Sequence, residues 1–154
     1  MASYACITPW VTFTPTLSWV TNTTTTATYA RQGNLLLMRI TLVLAGAPDA
    51  AILAMTGGMP LGVVTDRVAM AAADDGSGNA TRIPCGYGRI WDNSGGAAAY
   101  RGPIQVVQSE NLQFVANMVT TAPSTMTDVS STVPVTFAVN DRVYLYIEVP
   151  IVGW

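Results

Sequence analysis

The sequence predicts an all-β fold, an antiparallel β-sandwich or jelly roll of about eight or nine short strands, and three observations predict it. Threonine is the commonest polar residue, a β-branched type that suits strands. Proline and glycine punctuate the chain from end to end. No window sustains an apolar repeat of 3.6 residues beyond two turns, so helix is the minority state.

The first extended run is expected from Trp10 to Leu17. The clearest element is Thr24 to Leu44, where Gly33-Asn34 separates two extended runs as a two-residue type II′ hairpin turn does. Pairing Gln32 with Leu35 sets Tyr29 opposite Met38, Ala27 opposite Ile40 and Arg31 opposite Leu36 on an apolar face. Thr28 then meets Arg39 and Thr26 meets Thr41 on a mostly polar one. Leu35, Leu37 and Val43 fall on that polar face, which makes it a candidate contact surface.

Further strands are expected at Met59 to Thr65, Arg67 to Ala72, Gly102 to Gln108, Leu112 to Thr120 and Val133 to Val139. Loops are expected at Asp74 to Thr81 and in the Gly-rich segment from Ile83 to Gly102. The last strand alternates Val143, Leu145, Ile147 and Val149 with Arg142, Tyr144, Tyr146 and Glu148, and Asn140-Asp141 before it is a turn signal. At 154 residues the chain fits one β-sandwich domain, residues 1–154, with short apolar arms at both ends.

Composition narrows function. The chain is 50% hydrophobic and 10% charged, whereas ordinary domains carry roughly 25% charged residues, so much of this surface is expected to lie against other protein. There is no lysine and no histidine, and the seven arginines are scattered. A net charge of −2 disfavours nucleic acid, which needs a clustered basic face. The longest apolar region, Leu42 to Val64, is broken by Pro48, Asp49, Gly57, Gly58 and Pro60, so it offers no membrane-spanning helix. The N-terminus has neither a basic region nor an apolar core and does not read as a signal peptide. The acceptor patterns at Asn22-Thr23-Thr24 and Asn79-Ala80-Thr81 therefore carry no weight.

Without histidine, Ser-His-Asp and Cys-His nucleophile systems and His-ligated zinc are excluded. Glu110, Glu148 and seven aspartates are a thin source for a carboxylate pair, and no enzyme activity or cofactor is expected. Cys6 and Cys85 have no C-x-x-C spacing and read as free thiols. Asp74-Asp75-Gly76-Ser77-Gly78-Asn79 crowds oxygen ligands, yet it departs from the EF-hand pattern and reads as an exposed turn, so no metal site is expected. Tyr87 and Trp91, set among glycine and polar residues, suit a subunit contact; the same composition could also stack a sugar ring.

The string Thr28-Tyr29-Ala30-Arg31-Gln32-Gly33-Asn34-Leu35-Leu36, preceded by Phe13-Thr14-Pro15-Thr16-Leu17-Ser18-Trp19, resembles the opening of small jelly-roll proteins of tailed-phage virions. Phe137-Ala138-Val139-Asn140-Asp141-Arg142-Val143-Tyr144-Leu145 is similar to their final strand, with Asn-Asp in place of the usual Gly-Asp turn. Pro48 to Pro103 has no counterpart in the resemblance. Such modules serve as capsid decoration (cement) proteins, usually trimeric, or as tail-fibre and receptor-binding tips. The resemblance implies a virion structural protein with no catalytic residues. The first strand is expected within about ten residues of Met1, with no heptads or collagen-like repeat before it, and this suits a decoration protein better than a fibre tip. The expected partners are itself, as a homotrimer, and the major capsid protein on the outer surface of the head, with no nucleic acid and no membrane. The candidate interface residues are Leu35, Leu37, Arg39 and Val43 on the hairpin, Tyr87 and Trp91, and Ile151 and Trp154 in the apolar C-terminal arm.

Overall fold

The computed structural model describes residues 7–66, 68–70, 82–93, 98–107, 113–119 and 126–152. Ten strands are assigned among them: β1 (Val11–Thr12), β2 (Thr16–Leu17), β3 (Thr23–Gln32), β4 (Leu35–Leu44), β5 (Ala54–Gly57), β6 (Arg82–Asp92), β7 (Ala98–Val107), β8 (Gln113–Val119), β9 (Met126–Asp128) and β10 (Arg142–Pro150). Every pairing between them is antiparallel. The strands form one sheet in the order β1-β3-β4-β10-β6-β7-β8-β5-β2, with β9 added beside β8.

That order cannot be flat. Its nine strands, spaced by about 4.8 Å, would hold β1 and β2 roughly 38 Å apart. Only residues 13–15 connect those two strands, and that stretch of chain reaches about 14 Å at most. The sheet therefore curls until its ends approach each other, and the core fills the space it encloses. The fold is all-β and antiparallel as the sequence predicts. The layers belong to one continuous curled sheet, an order that does not by itself establish jelly-roll connectivity.

The β3–β4 hairpin pairs Gln32 with Leu35 and continues in register to Thr23 with Leu44. Gly33 takes φ +61° and Asn34 is not among the positive-φ residues, as a type II′ turn requires. Met38, Ile40 and Leu42 are fully buried along the inner face. β10 lies between β4 and β6, pairing with both, and its Val143, Leu145, Ile147 and Val149 are all buried. Burying four such side chains contributes on the order of 8 kcal/mol before entropy is counted, comparable with the whole net stability of a domain. Across the core, Trp19 meets Phe137 edge-on at 5.0 Å, and its indole N–H donates to the Ala51 carbonyl at 2.8 Å.

Four expectations need correction. The segment from Ile83 to Gly102, read as a loop, contributes most of β6 and part of β7, which pair from Arg82–Val107 to Asp92–Ala98. Met59 to Thr65 is not a strand: Pro60–Gly62 forms a 3-10 turn, with Leu61 at φ +57° and Gly62 at φ +65°. In Arg67 to Ala72, residues 68–70 are helical, because the Asp66 carboxylate accepts from the Ala69 N–H and holds the turn. Val133 to Val139 is loop beyond one bridge to Ser130. Its donors are taken by turn partners, Phe137 N–H by the Ser131 carbonyl and Ala138 N–H by the Asp141 carboxylate. The expected turn at Asp74 to Thr81 lies outside the described residues.

Candidate functional site

Alternation along β4, β10, β6 and β7 turns one set of side chains inward and leaves the other on a shared outer face. The registers arrange that face in rows. Val43, Arg142, Trp91 and Ala99 lie side by side, then Thr41, Tyr144, Arg89 and Arg101, then Arg39, Tyr146, Tyr87 and Pro103. Aromatic rings and guanidinium groups dominate the middle of the face.

At one end of the face, Arg89, Trp91, Asn93, Asn140, Arg142 and Tyr144 line an open groove of about 500 Å³. The Arg89 guanidinium lies 5.4 Å from the centre of the Trp91 ring, and its Nε is buried without a hydrogen-bond partner. Beneath this end lies Asp141, fully buried, whose two carboxylate oxygens accept from the backbone N–H groups of Asn93 and Ala138, each at 2.7 Å. Asn140 beside it takes φ +69°, a left-handed conformation that asparagine tolerates better than most residues. One carboxylate thus fixes both walls, the end of β6 and the turn into β10.

At the other end, Tyr87 and Tyr146 pack ring to ring at 5.3 Å. Burial and the nearby Glu148 charge push the Tyr146 phenol above its ordinary range, against the opposing pull of Arg39. A larger, mostly apolar cleft of about 640 Å³ opens there, lined by Leu35, Met70, Ile83, Tyr87, Tyr146 and Pro150 among others. Val64, Val68 and Val152 are exposed beyond it. They are brought to this end by the Val152 N–H on the Val64 carbonyl and the Asp66 N–H on the Pro150 carbonyl.

The candidate interface residues divide accordingly. Tyr87 is 63% exposed; Arg39 is exposed and stacks on Trp10 at 3.9 Å; Leu35, Val43 and Trp91 are half-buried. Leu37 and Ile151 are corrections, at 3% and 4% exposure. Leu37 sits beside the buried Ala30 where the N-terminal segment is tied to β3 through Ile7–Gln32 and Thr8–Arg31, and Trp10 reaches across to Arg39. Ile151 bridges Thr65 and donates to the Asn34 carbonyl, so the arm docks on its own chain at that residue. Trp154 and Cys6 lie outside the described residues. Cys85 is a buried free thiol whose pKa burial pushes up to about 12, and it faces the core.

Arg89, Arg142, Asn93, Asn140, Tyr144 and Tyr146 were not among the sequence candidates. For Arg89 the signal was present in the alternation of Tyr87, Arg89 and Trp91 with Gly88, Ile90 and Asp92, masked by the glycines, whereas Arg142, Tyr144 and Tyr146 lie on the outer face that alternation assigns to the last strand. Among the described residues no three Cys, Asp or Glu side chains gather as a metal site would need. No protein-family model, curated protein or solved structure matches the chain.

Proposed function

We propose that this chain is an assembly protein, a capsid decoration (cement) protein of a tailed phage that binds itself and the major capsid protein on the outside of the head. One observation carries the reading: the outer sheet face presents Tyr87, Tyr146 and Arg39 next to exposed Val64, Val68 and Val152, in a chain only 10% charged. Tyr and Arg in an apolar surround are the composition of binding hot spots. The resemblance of the hairpin and the last strand to virion jelly-roll modules supports the same reading. Decoration works by adding buried area across capsid junctions, and every bound copy stabilises the closed shell by mass action. It requires shape and area, with no catalytic group.

Two measurements test this. Sedimentation at micromolar concentration should give a trimer without free monomer, since obligate interfaces are large and apolar; a monodisperse monomer removes the self-association. Quantifying the chain in purified virions should give hundreds of copies. A few to a few dozen would reassign it to the tail.

A further inference from the structure

The groove at the Trp91 end has the chemistry of a ligand site different from the apolar end. Three of the seven arginines in the chain meet on this face: Arg89 pairs with Arg101 across β6 and β7, and Arg142 on β10 lies one row away, beside Trp91. Two of them line the groove. Like charges so placed repel one another, and among the described residues the lining contains no carboxylate. Asp141, just behind, has both oxygens committed to backbone N–H groups. Among the described residues neither Arg89 nor Arg142 has an ion pair. Arg89 Nε is desolvated and unmet, and a buried donor left without an acceptor costs stability. An anionic ligand in the groove would supply the missing counter-charge.

The remaining lining says what kind of anion. Trp91 offers a half-buried indole face, Asn93 and Asn140 two side-chain amides, and Tyr144 a phenol. An indole face packs against a sugar ring, and amides and phenols both donate to and accept from hydroxyls. About 500 Å³ is within the size range of small-ligand sites. We propose that this groove binds an acidic sugar of a glycan chain, its carboxylate held by the Arg89 and Arg142 guanidiniums and its ring against Trp91. This assignment does not rest on the decoration reading; a head or a tail protein could carry it.

The test is isothermal titration of the intact protein at low salt with trigalacturonate and with N-acetylneuraminic acid, against maltotriose as the neutral control and hexaglutamate as an acidic peptide. At least one acidic sugar should bind and maltotriose should not. Affinity should fall as salt rises. Arg142→Gln, on an exposed strand position, should weaken binding roughly tenfold or more, as loss of a charge-assisted contact does. Arg31→Gln, on β3 beside the Gln32–Leu35 turn and outside both the groove and the proposed interface, should leave it unchanged. Trp91→Ala should abolish sugar binding in a protein whose circular dichroism and sedimentation match wild type. Should Trp91→Ala perturb folding, Trp91→Phe, which keeps a ring, should weaken rather than abolish binding. Failure of both acidic sugars overturns the proposal. So does equal binding of maltotriose, binding of hexaglutamate alone, or an Arg142→Gln variant with wild-type affinity. None of these results alters the oligomer or copy-number measurement, so the two readings fail separately.

Discussion

Replacing Gly86 with alanine should be among the most damaging single-methyl additions to this protein. Gly86 lies where the β6–β7 register shifts, between Pro84 and Gly86, and pairs with Ile147 on β10. A Cβ there would overlap the Tyr146 carbonyl oxygen and come within 2.9 Å of the Ile147 Cα, against about 3.5 Å for an unstrained carbon contact. Both obstacles are backbone of the central strand, so no rotamer change relieves them. β6 must move away from β10, and two ladder hydrogen bonds at about 1 kcal/mol each are weakened. Overpacking adds about 2 kcal/mol more, giving a loss of about 4 kcal/mol in total, or roughly 8–16 °C in Tm for a domain of this size. Gly62→Ala is the matched control: its φ is +65° and nothing lies within 4 Å of an added Cβ, so only conformational strain of about 1–2 kcal/mol applies. Thermal melts followed by circular dichroism compare the two. If Gly86→Ala melts no lower than Gly62→Ala, the close approach of β6 and β10 is not what glycine provides at this position.

In a Cys6→Ser background, Cys85 should resist a thiol reagent at pH 8 until denaturant is added, because burial alone keeps the thiol protonated with a pKa of about 12; prompt labelling of the native protein refutes this. Asp49 accepts from Thr21 Oγ1 and from the Thr21 and Val20 N–H groups, which hold its carboxyl below the ordinary value. A lowered folded pKa contributes stability above the unfolded value, near 3.9, that disappears as pH falls through the folded one. The Tm gap between wild type and Asp49→Ala should therefore be constant above about pH 5 and shrink below about pH 4, and a gap unchanged at pH 2 contradicts the assignment.

What the sequence made legible was local. The β3–β4 register follows from one turn, because Gly33 supplies the positive φ and every later pair is then counted off. β10 declares its faces by strict alternation. β6 and β7 were hidden because glycine and proline mark loops in most sequences, whereas Gly86 serves a close approach of two backbones. Leu37 looked like a contact residue because alternation placed it outward, yet it is buried, and no period in the sequence reports which segment lies over which.

The groove was illegible for a related reason, and β10 shows why. Arg89 and Arg142 are far apart in the chain and become neighbours only because the last strand inserts between β4 and β6. Once there, successive residues of β10 do different work: Val143, Leu145, Ile147 and Val149 hold the core, while Arg142, Tyr144 and Tyr146 line the groove and the apolar cleft. A one-residue slip would exchange the two sets, burying an arginine and two tyrosines and exposing four aliphatic side chains, so stability itself enforces the register that builds the site. Substitutions at the inner positions should consequently lower Tm and ligand affinity together. Those at the outer positions should change affinity in a protein that melts as wild type does, and that separation distinguishes a binding face from a merely solvated one.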